Sequence, residues 1–130
     1  MSGEPEGARE PSGRSVQGRV ADILEAVERC KRYVHLLDGE VDATVAQMAE
    51  DAIERNLQII GEAANHLPPE ITDAHPELAW PQIRGFRNIL VHQYFGVDLE
   101  IVREVVDTYL PELAESLRIH APNETPDPLN

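Results

Sequence analysis

Apolar residues recur at steps of three and four along most of the chain, and that period is the signature of helices that each bury one face. Val20, Ile23, Leu24, Val27, Val34 and Leu37 form one such stripe and predict a first helix over 15–37. Asp38-Gly39 ends it, with glycine in the position just past a helix C-terminus. Val45, Ala49, Ala52, Ile53, Ile60, Ala63 and Ala64 form a second buried stripe and predict a helix over 42–67, stopped by Pro68-Pro69. A short helical turn is expected at 69–74. A third helix starts at Trp80-Pro81, where proline suits the first turn, and runs to Phe95-Gly96. A fourth runs from Asp98, a residue type suited to an N-cap, to Ile119, and Pro111 should kink it. The connections are short, so sequential helices should be antiparallel. Gly61, Ala63 and Ala64 are small enough to admit a second helix closely, as ordinary tight packing. The expected fold is all-α: an antiparallel bundle of four to five helices, with a Pro-kinked last helix.

The chain has 130 residues, the size of one domain. Residues 1–14 and 121–130 are rich in Pro and polar residues and are expected to be disordered tails around a helical domain at 15–120. Aromatics make up only 5% of the chain, which with the helical period disfavours a β-sandwich. No apolar run approaches the roughly 18 residues of a membrane span, and the first residues lack the apolar stretch of a signal peptide. The single cysteine, Cys30, leaves no disulfide within one chain and no multi-cysteine metal site, so a reducing, cytoplasmic setting is expected.

The net charge of −13 repels nucleic acid and anionic lipid on average, so any phosphate chemistry must rest on a local basic site. From Leu78 to Val97 there is no Asp or Glu, and that stretch holds Arg84, Arg87 and His92. Arg29, Lys31 and Arg32 form a smaller basic cluster. A solvated helix face accounts for either on charge alone. Glycine-rich nucleotide loops, metalloprotease histidine pairs and a nucleophile elbow are all absent, and the five histidines show no metal-ligand spacing.

What remains is the run Arg84-Gly85-Phe86-Arg87-Asn88-Ile89-Leu90-Val91-His92-Gln93-Tyr94. On a continuous α-helix Asn88 and His92 would lie about 40° apart, but Arg87 and His92 about 140° apart. A curled arginine or a second copy of the helix would be needed to bring them together, which points to a groove or an interface. An Arg and a His without a metal suit RNA cleavage: histidine moves a proton near neutral pH, arginine holds phosphate charge, and the RNA supplies its own 2′-hydroxyl nucleophile. An Arg and a His that only cap and bridge helices fit the same spacing.

The run from Arg87 to Tyr94 resembles the R-x4-H-x-Y signature of HepT-like proteins of the HEPN superfamily. Leu57-Gln58-Ile59-Ile60-Gly61-Glu62-Ala63, Trp80-Pro81-Gln82-Ile83, Val102-Arg103-Glu104-Val105-Val106 and Leu110-Pro111-Glu112-Leu113 are similar to the segments that accompany it, so the resemblance spans about 16–119. It implies a homodimeric HEPN-type bundle acting as a metal-independent endoribonuclease toxin of a type VII toxin–antitoxin system, without a cofactor. By position, Arg87 and His92 would be catalytic, lining a cleft at the dimer interface with their copies, and Asn88 and Arg84 supporting. The resemblance further implies a minimal nucleotidyltransferase as antitoxin, which transfers AMP from ATP to Tyr94. Two other expectations compete: a non-catalytic HEPN protein that binds a nucleotidyltransferase or a nucleotide, favoured by the acidic charge, and a structural dimer without a ligand.

Overall fold

A computed structural model describes residues 15–88 and 99–122. Helix α1, Val16–His35, starts where the Ser15 hydroxyl accepts the Gly18 N–H at 2.9 Å. Helix α2, Ala43–Asn65, starts where the Asp42 carboxylate accepts the N–H groups of Thr44 and Val45 at 2.9 and 3.3 Å. Each cap satisfies donors that a helix N-terminus otherwise leaves open. Between them Gly39 takes φ +70°, a left-handed conformation that glycine reaches without steric cost. Helix α3, Pro69–Thr72, follows the Pro68-Pro69 stop as a single short turn. Helix α4, Trp80–Arg84, passes into a 3-10 turn at Gly85–Asn88. Helix α5, Leu99–Glu104, passes through a π-helical turn at Val105–Tyr109 into α6, Leu110–Leu117, with a closing 3-10 turn at Arg118–His120. No strand occurs among the described residues, and the all-α expectation holds.

Helix α1 is central, packed on α2 along one side and on α5–α6 along the other, while α4 and its 3-10 turn lie on α2. The core draws Val20, Ile23, Val27 and Cys30 from α1, Ile53, Leu57 and Ile60 from α2, and Val102, Val106, Leu110, Leu113 and Leu117 from the last helices. Arg103, in the last turn of α5, ties that helix to the end of α1, donating to Asp38 Oδ1 at 2.9 Å and to the Leu37 carbonyl at 3.0 Å. Contact of the Arg118–His120 turn with α1 then makes the two paths antiparallel.

The segment between α3 and α4 is held at the opposite end of the bundle. Trp80 Nε1 donates to the carbonyls of both Thr72 and His75, at 3.1 and 3.0 Å. His75, itself buried, meets His120 with Nε2 atoms 2.8 Å apart, a contact that needs one ring to donate and the other to accept. The other ring nitrogen of His75 faces Glu77, which also accepts from the Ser116 hydroxyl at 3.2 Å. A bond from its own backbone N–H, aided by Ser116 and His75, holds the Glu77 carboxyl below the usual glutamate range. No helix among the described residues is long and apolar enough to cross a membrane.

Three expectations change. The third helix is not a continuous α-helix: from Gly85, a poor helix former, it tightens to a 3-10 turn, and the backbone of Arg84 and Arg87 presses on α2 at Gly61. The disruption expected at Pro111 takes the form of a widened turn before it, with Leu110 N–H donating to the Val105 carbonyl five residues back. That turn accommodates a residue that has no N–H and whose ring crowds the carbonyl four residues earlier. Val45, placed in the buried stripe of α2, is exposed with Val41 and Met48, because the first turns of α2 extend beyond the core. Positions 1–14, 89–98 and 123–130 lie outside the described residues, and with them His92, Tyr94, the Asp98 N-cap and the greater part of both predicted tails.

Candidate functional site

The site begins with Trp80, Ile83 and Phe86, which are buried and fix α4 and its 3-10 turn against the core. Between them Arg84 is half-buried, and Arg87 and Asn88 are exposed. The backbone of this segment presses directly on α2 at Gly61. A side-chain Cβ there would overlap the Arg87 backbone nitrogen and stand 3.0 Å from the Arg84 carbonyl oxygen. Glycine at position 61 therefore sets how close Arg87 comes to α2.

One helical step further, Glu62 turns its carboxylate to the same edge. Its Oε1 lies 3.7 Å from Arg87 Nη1, and its Oε2 lies 3.5 Å from His66 Nδ1. His66 Nδ1 also sits 2.9 Å from the Glu62 carbonyl oxygen. The Arg87 and Glu62 side chains are 43% and 58% exposed, so the pair is solvent-screened and weak, on the order of 0–1 kcal/mol. A phosphate can take the place of that carboxylate on the guanidinium at little cost.

Arg87 and Asn88 form one end of an open groove of about 570 Å³. Helix α1 contributes Arg19 and Asp22 to it, and α2 contributes Arg55, Gln58 and Glu62, with Ile59 and Ala63 along the wall. Three arginines against two carboxylates give a local positive balance in a chain whose net charge is −13. Arginine forks match phosphate geometry, and the amides of Gln58 and Asn88 can donate or accept hydrogen bonds.

Of the residues nominated from the sequence, Arg87 and Asn88 share this groove, and Arg84 stands behind it, contributing its carbonyl to the Gly61 contact. His92 and Tyr94 lie outside the described residues. Arg19, Arg55, Gln58 and Glu62 were not nominated. Arg55, Gln58 and Glu62 follow one another at steps of three and four on the face of α2 opposite its apolar stripe, a pattern that any solvated helix face shares, and Arg19 on α1 carries no signal of its own. The second basic cluster is spent locally: Arg29 pairs with Glu25 at 3.4 Å and Lys31 with Glu28 at 3.5 Å, while Arg32 lies 6.0 Å from the Tyr33 ring centre. Among the described residues, no three His, Cys, Asp or Glu side chains converge as a metal site would require.

Fold and groove together define a helical bundle with an arginine-lined surface suited to a phosphate-bearing ligand. The family model described as "Ribonuclease HepT-like" matches residues 23–119, and the chain belongs to that family. It is 33% identical over 100 residues to a "Probable ribonuclease HepT" of Thermococcus cleftensis, covering 77% of this chain and 90% of that one. It is 30% identical over 108 residues to a "Putative RNase" of Methanocaldococcus jannaschii, covering 83% and 98%. A third relative, from the same archaeon and described as "Gamma-glutamylcyclotransferase and putative RNase", is 36% identical over 95 residues; the match covers 73% of this chain but only 42% of that longer protein. No solved structure matches the chain.

Proposed function

We propose that this chain is a metal-independent endoribonuclease toxin whose catalytic pair is Arg87 and His92. The observation that carries the reading is the position of Arg87, held at the edge of an arginine-lined groove by the Gly61 contact and paired there with a solvent-screened carboxylate. The names of the relatives support the same class of substrate.

In this reading His92 accepts the proton of an RNA 2′-hydroxyl, and that oxygen attacks the adjacent phosphorus. The bond from phosphorus to the 5′-oxygen breaks, the leaving oxygen takes up a proton, and a 2′,3′-cyclic phosphate remains. Arg87 exchanges Glu62 for the phosphate and balances the charge that builds on its oxygens. Asn88 and Arg84 support the pair. A two-fold dimer brings a second Arg87 and a second His92 to the same cleft. The partner of this chain is a nucleotidyltransferase antitoxin of a type VII system: the Tyr94 oxygen attacks the α-phosphate of ATP, pyrophosphate leaves, and the phenolic proton is released. The added phosphodiester charge and nucleoside bulk then exclude RNA.

Arg87→Ala and His92→Ala should each lower RNA cleavage about 100-fold or more, as for other positioned electrostatic and acid–base groups. Expression of the wild-type chain alone should arrest growth, and His92→Ala should relieve the arrest. Wild-type cleavage rates in either variant would refute the assignment. Transfer of AMP to Tyr94 should appear in intact mass after co-expression with the transferase and disappear in Tyr94→Phe.

A further inference from the structure

We infer that the groove beside Arg87 is a track for an RNA backbone, with Arg55 of α2 and Arg19 of α1 holding phosphates other than the one at which Arg87 acts. The inference rests on the ribonuclease reading and extends it from a single phosphate to a bound strand.

The whole surface of this chain is acidic on average, so a strand of phosphates is repelled everywhere that cations are not gathered. The groove is where they are gathered: Arg19, Arg55 and Arg87 come from three separate segments and line one open space. Its volume of about 570 Å³ exceeds what one phosphate group needs. Arg55 lies seven residues before Glu62 on α2, about 10 Å along the helix axis, and Glu62 marks the position of Arg87. That separation places the two arginines at different levels of the groove. Gln58 lies on the same wall between them, where its amide can meet a ribose or a base edge. Asp22 and Glu62 oppose indiscriminate anion binding and leave the arginine forks to set the path. The basic cluster on α1 borders a smaller space lined by two arginines and two glutamates, with no positive balance.

The test is binding of a short, non-cleavable 2′-O-methyl oligonucleotide, followed by fluorescence anisotropy over a range of salt concentrations. Arg19→Ala and Arg55→Ala should each weaken binding about tenfold and reduce the slope of log affinity against log salt by about one. Arg55→Lys should recover part of the loss, because the charge stays and the fork does not. An Arg29→Ala, Arg32→Ala double variant should bind as wild type. On cleavable RNA, the groove variants should raise KM and leave kcat near the wild-type value. Equal binding by wild type and both groove variants overturns the track, as does failure of the wild type to bind the oligonucleotide. Binding that depends on Arg19 and Arg55 in a chain that never cuts RNA establishes the track and overturns the ribonuclease reading. Thermal melts separate either result from misfolding.

Discussion

Arg87 faces the groove because Ile83 and Phe86 do not: burial of those two side chains leaves the arginine only the solvent side of a short segment. The same logic, one side chain fixing the options of its neighbours, governs Asp38. Arg103 binds its carboxylate and, with a smaller contribution from His35, holds it below the usual aspartate range. A carboxyl lowered in the folded state favours folding above its ordinary pKa, and the effect fades as pH falls through the lowered value. Arg103→Ala should therefore move the Asp38 titration midpoint, followed by NMR, back toward the ordinary aspartate value; an unchanged midpoint would contradict the tie between α1 and α5. Cys30 is the opposite case. It is fully buried, and burial pushes its thiol up to about 12. A thiol reagent at pH 8 should leave the native chain unmodified and should react once per chain in guanidinium. Prompt reaction of the native chain would show that the α1 core opens readily.

Two glycines on facing elements make opposite predictions. Gly61→Ala puts a Cβ into the Arg87 backbone, which cannot rotate away as a side-chain tip would. Overpacking of that kind costs about 1–3 kcal/mol, set against a gain of up to about 1 kcal/mol in helix propensity, so a net loss is expected. The variant should unfold at lower denaturant and cut RNA more slowly, since Arg87 moves with its backbone. Gly85→Ala meets nothing within 4 Å, and its φ of −70° suits any residue, so stability should hold or rise by about 0.4–1 kcal/mol. Denaturation midpoints that rank the two variants the other way would contradict the packing described here.

At this scale the sequence was most legible where one helix decides its own ends. The predicted spans 15–37 and 42–67 come within two residues of Val16–His35 and Ala43–Asn65; the starts match because Ser15 and Asp42 cap through local hydrogen bonds, while the helices close on Leu36 and His66, ahead of Gly39 and Pro68. Arg19 and Arg55 were not legible as site residues. Their neighbourhood depends on how α1 and α2 are rotated against each other, which neither periodic pattern states alone. The tight turn at Gly85 and the π-helical turn before Pro111 were missed for a related reason: each is a compromise between local chain geometry and tertiary packing.

For the whole molecule, acidity and the proposed RNA chemistry are compatible because, among the described residues, three arginines gather in one groove while the chain as a whole carries an excess of acids. An acidic chain of this kind should show strong salt dependence and little non-specific nucleic-acid binding. If the cleft takes residues from two copies, light scattering at micromolar concentration should report about twice the 14.5 kDa chain mass. A species of 14.5 kDa alone would leave the catalytic pair on one chain and contradict the two-copy cleft.

The central claim is RNA cleavage by Arg87 and His92 using the 2′-hydroxyl of the substrate. It is tested most directly by incubating the purified chain with a short RNA in EDTA and identifying the product ends by mass spectrometry. Cleavage is expected at an undiminished rate, with a 2′,3′-cyclic phosphate or its hydrolysis product, and none is expected where the nucleotide at the cut site is 2′-deoxy. Cleavage that stops in EDTA, or that proceeds through a deoxynucleotide, would contradict it.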